Sequence, residues 1–219
     1  MKLSVLLPIF NEERGLRECL DRVLGTPQVG EVIAVNDCST DGTAEILSHY
    51  HDPRLIIVHH KYNVGKGGGI RTALAYASGD LAVIQDADTE YDPTDYGALL
   101  APIEANRAEV VYGARDLTKQ PLIGFLGNKF LTTVTNLLTG TRLSDMETCY
   151  KVVPTALLRE LHLHSNGFEI EPEITVKLAK RHIRIIEVPV AYSPRNAKKL
   201  RRFRDGFKSL LALIRFLFE

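Results

Sequence analysis

The chain alternates short apolar segments with stretches of helical periodicity, and this alternation constrains its fold more than any other feature. The apolar segments lie at residues 3–9, 32–35, 55–58, 81–85 and 109–112. The helical patterns lie near residues 12–24, 43–50, 67–77, 122–138, 154–161 and 170–181. Continuous apolar strands separated by helices are typical of a mainly parallel sheet covered on both faces. With further strands near 148–153 and 184–192, the sequence predicts one α/β domain.

Composition excludes several classes of function. The 219 residues carry 27 Lys and Arg against 27 Asp and Glu, and this zero net charge argues against a nucleic-acid partner. The three cysteines form no CxxC pair, which favours reduced thiols in a cytosolic protein. Because no apolar run reaches the roughly 18 residues that a bilayer requires, we expect no transmembrane helix. We expect structural or solvated roles for His59 and His60, since they lack metal-ligand spacing.

Polar clusters follow the first four apolar segments. They occupy residues 8–12, 36–43, 63–67 and 85–88. Open α/β sheets bind their ligands beyond the carboxyl ends of the strands. Four clusters at one edge of a sheet therefore predict a binding site there.

The cluster Asp86-Ala87-Asp88 carries the most chemistry. Residues two apart share one face of a strand, so Asp86 and Asp88 could project together, with Glu90 nearby. Hard carboxylate oxygens suit Mg²⁺ or Mn²⁺ that holds a substrate's phosphates. The alternative for so short a motif is an acidic surface turn.

These four clusters, in this order and spacing, resemble family 2 glycosyltransferases with the GT-A fold, a single-domain, Rossmann-like architecture. Within that family, the chain resembles the dolichyl- or polyprenyl-phosphate sugar synthases. The resemblance covers nearly the whole chain. It continues through residues 112–115, 126–129, 145–151, 167–171 and 192–206.

The resemblance implies a set of ligands for the donor, a nucleotide-sugar. Residues that contact the nucleotide would be Pro8, Phe10, Glu12, Asp37, Lys66, Asp86 and Ala87. Within this set, Asp37 would bind the base or ribose, and Lys66 would approach the diphosphate. The metal ligands would be Asp86, Asp88 and Glu90, with Asp88 bound directly to Mg²⁺ or Mn²⁺.

The run Gly65-Lys66-Gly67-Gly68-Gly69 lacks the spacing of a Walker phosphate loop and the GxGxxG order of a dinucleotide fold. Either it lies near the nucleotide, as the resemblance implies, or its glycines permit close packing of a helix on the sheet.

For the acceptor, the resemblance implies phosphate-binding cations. Arg115 and Arg195 match arginines that hold phosphates, and we expect Lys129 to assist. A phosphate monoester is already ionised at neutral pH, so it needs positioning rather than a general base. We therefore expect Asp145 and Glu147 to orient neighbouring groups or the sugar. With Asp88, Arg115 and Arg195, Asp145 forms the predicted catalytic set.

The C-terminal segment 201–219 predicts a basic amphipathic helix. Such a helix can lie in the headgroup layer of an anionic membrane, or it can pack on the body of the protein with its cations in water. A second apolar pattern at residues 122–138 could border a polyprenyl chain. We therefore divide the single domain into a donor half (1–115), an acceptor half (116–200) and the terminal helix (201–219).

The leading hypothesis is an inverting, metal-dependent glycosyltransferase. It would move one sugar from GDP-mannose, or from UDP-glucose or another UDP-sugar, to a dolichyl or polyprenyl phosphate. We expect it to be cytoplasmic and peripheral at the inner face of the membrane. Two alternatives remain open: a family 2 transferase with a non-lipid or polysaccharide acceptor, and a non-catalytic nucleotide-binding scaffold.

Overall fold

The computed structural model describes residues 1–194 and 202–218. The strands are β1 (Leu3–Ile9), β2 (Val29–Asn36), β3 (Leu55–His59), β4 (Leu81–Ile84), β5 (Val110–Arg115), β6 (Lys151–Pro154) and β7 (Ile185–Val190). The helices are α1 (Leu16–Leu24), α2 (Thr43–Ser48), α3 (Lys66–Tyr76), α4 (Tyr96–Glu104), α5 (Leu122–Thr139), α6 (Thr155–Glu160), α7 (Ile170–Lys180) and α8 (Arg202–Phe218). Arg195 lies outside the described residues, as does part of the basic segment before α8.

All seven strands form one sheet in the order β3-β2-β1-β4-β6-β5-β7. The ladders β1–β2, β1–β4, β2–β3 and β5–β7 are parallel, whereas β6 runs antiparallel to both β4 and β5. The predicted α/β fold with a mainly parallel sheet flanked by helices is confirmed. Because β1 to β4 are parallel to one another, their carboxyl ends meet at one edge of the sheet.

The structure differs from the sequence prediction at one helix and at several element boundaries, including that of β2, which begins at Val29 rather than residue 32. Helix α4 was not predicted, because Pro102 lies inside its short apolar pattern and proline removes a helical hydrogen bond. Helix α1 begins at Leu16 rather than residue 12, since the preceding residues form a turn closed on the Glu12 carbonyl. Strand β6 begins at Lys151 rather than residue 148, and the residues before it form a loop.

The end of β4 is fixed by a buried hydrogen-bond network. The side-chain oxygen of Gln85 accepts hydrogen bonds from the hydroxyls of Tyr96 (2.6 Å) and Tyr150 (2.8 Å). All three residues are buried. This network joins β4 to α4 and to the start of β6, so it sets where the chain leaves the sheet toward Asp86.

Helix α8 packs on α7 and α5 through buried Ala212, Leu213 and Phe216. Its opposite face exposes Leu211 and Ile214. The predicted C-terminal helix therefore exists and covers the body of the protein with one face. Within the described residues, the structure contains no helix of the length and apolarity needed to traverse a bilayer.

Candidate active site

The polar clusters at the ends of β1 and β2 contact each other through hydrogen bonds. The backbone N–H of Asn11 donates to Ser39 Oγ, and that of Glu12 donates to Thr43 Oγ1, each at 2.9 Å. The two clusters thereby form one continuous wall at the edge of the sheet.

Asp37, at the end of β2, organises the loop that follows β3. Its carboxylate accepts hydrogen bonds from the backbone N–H groups of Val64 (2.8 Å) and Gly65 (2.7 Å). His60 Nδ1 lies 2.7 Å from Asp37 Oδ1, and His60 Nε2 lies 2.9 Å from Thr72 Oγ1. His60 thus has the structural role expected for it, and it orients Asp37. Contact of Asp37 with a nucleotide base or ribose stays a prediction.

The glycines after Val64 allow two loops to approach closely. Gly65 has φ +101°, a conformation that side chains disfavour, and a Cβ at this position would collide with the Asn166 carbonyl. A Cβ at Gly67 would collide with the Ser165 carbonyl. The glycine run therefore lets residues 165–167 pack against the start of α3. This supports the interpretation that the glycines permit close packing, and Lys66 lines the cleft beside them.

At one end of the cleft, Lys66 lies between two carboxylates. Its Nζ is 2.7 Å from Asp86 Oδ1 and 2.9 Å from Glu171 Oε1. Glu171 in turn pairs with buried Lys151 at 3.2 Å. Burial disfavours the charge of Lys66, but Asp86 and Glu171 outweigh it and raise the pKa of Lys66 well above its ordinary value. We call Lys66, Asp86 and Asp88 the acidic end of the cleft.

The acidic end offers the oxygen chemistry that Mg²⁺ and Mn²⁺ prefer. Asp86 and Asp88 both line the cleft, and the Oδ1 atom of Asp86 binds an ammonium group, so that carboxylate already serves as a cation ligand. Glu90 also lines the cleft, but its Oε2 accepts a hydrogen bond from Tyr192 at 2.9 Å. Within the described residues no group of three or more His, Cys, Asp or Glu side chains is preassembled around a metal position. The oxygen donors of Asp86 and Asp88 fit a divalent ion in chemistry, and binding of that ion by them stays a prediction.

At the other end, Arg115 is held from several sides. Its Nε and Nη2 donate to Asp145 Oδ2 (2.6 Å) and Oδ1 (2.8 Å), a bidentate pair with a fully buried carboxylate. Its guanidinium carbon lies 5.1 Å from the ring centre of Tyr192 and 5.9 Å from that of Tyr91. In the amide orientation that satisfies both partners, Asn128 accepts from Arg115 Nη2. We call Arg115 and Asp145 the arginine end.

Although burial alone would lower it, the pKa of Arg115 is raised well above its ordinary value by Tyr91 and Asp145. Arg115 is therefore a permanent cation in a fixed position. Asp145 orients it, in agreement with the expectation that this acid orients a neighbour. Asp145 itself is not among the residues that line the cleft.

Both ends open into one cleft with a volume of about 730 Å³. The sequence-predicted residues that line it are Pro8, Phe10, Glu12, Asp37, Lys66, Asp86, Ala87, Asp88, Glu90 and Arg115. Lys129 is not among the lining residues, and its Nζ donates to the Ser144 carbonyl at 3.1 Å. Phosphate binding by Lys129 and Arg195 stays a prediction, and Arg195 falls outside the described residues.

Helix α5 forms an apolar rim to the cleft. Ile123 and Leu131 line the cleft, and Ile123 is 60% exposed. Leu122, Leu126 and Phe130 are exposed on the same helix, each by more than half. A charged cleft with an apolar rim can accommodate a ligand that has a charged head and an apolar chain.

Several residues of the site had no assigned role in the sequence analysis. These are Tyr91, Lys151, Glu171 and Tyr192. Lys151, Glu171 and Tyr192 lie inside segments that carried the resemblance, which assigned them no role. Tyr91 lies outside those segments, and an aromatic residue in a loop is compatible with ordinary core packing.

The model of the family described as "Glycosyl transferase family 2" matches residues 4–154 of this chain. The chain belongs to glycosyl transferase family 2. The resemblance stated from the sequence is thereby confirmed for the family, and this family 2 member is a glycosyltransferase. The matched region includes the acidic end, Arg115 and Asp145.

Relatives with named activities align with most of the length of this glycosyltransferase. It is 29% identical to a low-salt glycan biosynthesis hexosyltransferase of Haloferax volcanii, over 94% of this chain and 51% of that protein. It is 26% identical to the UDP-N-acetylglucosamine–dolichyl-phosphate N-acetylglucosaminyltransferase of Methanococcus voltae, over 97% of this chain and 94% of that protein. It is also 26% identical to the undecaprenyl-phosphate mannosyltransferase of Micrococcus luteus, over 89% of this chain and 85% of that protein. The chain thus spans about half of the Haloferax protein and most of the other two.

Among solved structures, the glucosyl-3-phosphoglycerate synthase of Mycobacterium tuberculosis in complex with phosphoglyceric acid has a TM-score of 0.80 to this glycosyltransferase. The match covers 99% of this chain and 80% of that chain at 19% identity. This likeness confirms the GT-A fold.

Proposed function

We propose that this glycosyltransferase transfers one hexose from a nucleotide-sugar to the phosphate of a dolichyl or polyprenyl lipid, with inversion at the anomeric carbon. We further propose that it acts at the cytoplasmic face of a membrane. Residues 1–115 would bind the donor, residues 116–200 the acceptor, and the terminal helix the membrane surface.

One observation carries the proposal: a single cleft combines carboxylates at one end, a fixed arginine at the other and an exposed apolar helix at its rim. Carboxylates bind a metal-complexed diphosphate. The fixed charge of Arg115, whose Nη1 group is not used in the pair with Asp145, suits a phosphate monoester. The apolar rim of α5 suits an isoprenoid chain, whereas a sugar or glycan acceptor would gain little from it.

The chemistry needs no proton transfer at the acceptor. An oxygen of the lipid phosphate, already ionised, attacks the anomeric carbon on the side opposite the donor diphosphate. A new carbon–oxygen bond forms as the bond to the diphosphate breaks, and the departing nucleoside diphosphate retains the bonding electrons. Arg115 holds the attacking phosphate, and Asp145 keeps Arg115 in place.

A divalent ion bound by Asp86 and Asp88 would supply charge neutralisation for the departing diphosphate. Lys66 would remain paired with Glu171 and add a second cation beside the diphosphate.

The relatives support more than one donor. Their names include UDP-N-acetylglucosamine, glucosyl and mannosyl transferases. GDP-mannose stays our first candidate from the sequence, and UDP-glucose and UDP-N-acetylglucosamine are the others to test.

The decisive experiment measures release of nucleoside diphosphate from these three donors with Mn²⁺. The acceptors are a short polyprenyl phosphate and the matching polyprenol without phosphate. We expect turnover with the phosphate to exceed turnover with the alcohol by at least about 100-fold, because the alcohol lacks the ionised nucleophile and must lose a proton. Equal rates with both acceptors, or transfer to a glycan alone, would overturn the proposed acceptor.

Flotation with anionic vesicles tests the membrane proposal. The double variant L126S/F130S removes two exposed apolar groups from the rim, and we expect it to float less than the wild type. The control is Y76S, which removes an exposed aromatic group from α3. Equal flotation of all three proteins would contradict a role for the rim.

A further inference from the structure

The loop of residues 145–149 presents a single carboxyl group to the cleft. Asp145, Met146, Thr148 and Cys149 are all buried, and Glu147 alone among these five residues is partly exposed. Glu147 lines the cleft, whereas Asp145 is occupied by Arg115. The two acids of this segment therefore have different environments, although they are separated by one residue.

The backbone of this loop is held at several points. Glu187 of β7 accepts hydrogen bonds from the N–H groups of Ser144 (2.7 Å) and Asp145 (3.0 Å). Met146 N–H donates to Thr132 Oγ1, and Cys149 N–H donates to the Tyr91 hydroxyl, each at 3.1 Å.

Lys151 completes the set by donating to the carbonyls of Met146 (2.8 Å) and Thr148. A loop restrained in this way fixes the side chain at its tip, which is the condition for precise recognition of a ligand.

One oxygen of Glu147 has no partner. Its Oε1 atom is buried from solvent and forms no hydrogen bond within the described residues. Buried polar atoms are almost always hydrogen-bonded in folded proteins. The Glu147 carboxyl, which lines the cleft, is therefore short of hydrogen-bond donors, and a ligand in the cleft can bring one.

The surroundings of Glu147 support this interpretation. Burial and the neighbouring Glu171 raise the pKa of Glu147 from 4.5 to about 7, while Lys151 and Arg115 oppose the rise and Asp145 adds to it. The ionised carboxylate is thus short of stabilising contacts, and a hydrogen bond from a hydroxyl group would supply one.

The position of Glu147 identifies the chemical class of that donor. Its carboxyl is influenced by Arg115 and Asp145 at the arginine end and by Glu171, the partner of Lys66, at the acidic end. Given the proposed function, the transferred sugar occupies the space between the diphosphate and the acceptor phosphate. The phosphates bring no hydroxyl donors when ionised, whereas a hexose brings several.

We propose that the Glu147 carboxylate accepts a hydrogen bond from one hydroxyl of the transferred sugar, and that this contact selects among donor hexoses. The proposal rests on the proposed function and assigns different roles to the two acids: Asp145 positions Arg115, and Glu147 contacts the sugar. Glu147 is not required as a base, because the acceptor phosphate has no proton to lose.

The test pairs enzyme variants with deoxy-sugar donors. Wild type, E147A and E147Q are assayed with UDP-glucose, GDP-mannose and their analogues that lack one hydroxyl at C2, C3, C4 or C6. In the wild type, loss of the contacted hydroxyl should lower kcat/KM by about 10- to 100-fold, the usual effect of a missing hydrogen bond to a charged group. In E147A, the same analogue should match its parent donor within about threefold, because the interaction is already absent.

E187Q is the matched control. It weakens the support of the same loop at Ser144 and Asp145 without removing a carboxyl that lines the cleft. We expect E187Q to lower activity with all donors by the same factor and to retain the discrimination against the deoxy analogue. If E147A and the wild type lose the same factor for every analogue, or if E187Q abolishes the discrimination as E147A does, the proposal is overturned.

Calorimetry separates failure of this inference from failure of the proposed function. Wild type should bind UDP-glucose or GDP-mannose more tightly than the corresponding nucleoside diphosphate, and E147A should lose that difference while still binding the diphosphate. A wild-type protein that binds neither nucleotide-sugar would refute both. Retention of the full difference by E147A would refute the role of Glu147 alone.

Discussion

The two ends of the cleft hold their charges in different ways. At the acidic end, Lys66 is shared between Asp86 and Glu171, and Asp86 keeps 29% of its side chain exposed. At the arginine end, Arg115 is 9% exposed and is bound in a bidentate pair to a fully buried carboxylate. The difference in exposure predicts that the acidic end exchanges Lys66 for a bound cation, whereas the arginine end keeps one geometry. Variants at the two ends test this contrast.

The largest effect is expected from D145N at the arginine end. This variant leaves the buried guanidinium of Arg115 without its counter-charge, and breaking a buried pair costs about 3–5 kcal/mol. Urea denaturation should show a loss of unfolding free energy of this size, while the exposed-carboxylate variant D21N should change it by less than about 1 kcal/mol. An unchanged midpoint in D145N would show that the arginine end is not held by this pair.

D88A should give the opposite result at the acidic end. We expect release of nucleoside diphosphate to fall by about 100- to 1,000-fold, because charge on the leaving group is no longer neutralised. The unfolding free energy should stay within about 1 kcal/mol of wild type, since Asp88 is only half-buried and accepts a hydrogen bond from the Glu90 N–H in its own loop. D21A serves as the control, and an active D88A enzyme would remove the acidic end from the mechanism.

K66M tests whether the acidic end exchanges partners. Without the ammonium group, Asp86 no longer has to release a cation before it binds another. The nucleotide-free protein should therefore bind Mn²⁺ about tenfold more tightly, which corresponds to about 1.4 kcal/mol. Titration followed by electron paramagnetic resonance measures this affinity, and K61M, at an exposed neighbouring lysine, is the control. Equal or weaker Mn²⁺ binding by K66M would show that Lys66 does not compete for Asp86.

The smallest effect is a pH dependence of stability at Glu147. Its pKa of about 7 in the folded protein lies above the ordinary 4.5, so the folded state binds more protons between these values. Stability should therefore fall as pH rises from about 4.5 to 7, by on the order of 1 kcal/mol for this partly exposed group. E147Q should lack this decline.

The other charged groups near Glu147 are Asp145, Lys151, Arg115 and Glu171, and all remain in E147Q. Chemical denaturation at pH 4.5, 6 and 8 measures the effect. The same slope in E147Q and wild type would assign the pH dependence to other groups.

Much of the fold was predictable because it follows from local patterns. Apolar runs marked the strands, and their parallel arrangement followed from the intervening helices. The boundary errors at α1 and β6 arise because caps and loops depend on hydrogen bonds, such as the turn at Glu12, that no apolar pattern records. Helix α4 was missed because Pro102 weakens the helical pattern in the sequence. Tertiary packing stabilises the helix in spite of the proline.

The candidate site was predictable in part for a similar reason. Residues at strand ends, such as Asp37 and Asp86, follow directly from the order of strands along the chain. Partners that approach from distant segments do not, and Glu171 beside Lys66 is an example. Lys129 donates to the Ser144 carbonyl, a contact that its motif segment does not record, and its binding of phosphate stays a prediction.

The sequence by itself determined the family and the sheet edge that carries the site, and most of the site residues that it predicted line the cleft. These follow from residue types and their order, because parallel strands deliver their carboxyl ends to one place. The tertiary structure alone decided which charged groups share partners and which are held in one pair. It also gave Asp145 and Glu147 different environments. Two acids one residue apart differ because burial and partners, rather than spacing along the chain, determine what a carboxyl group can contact.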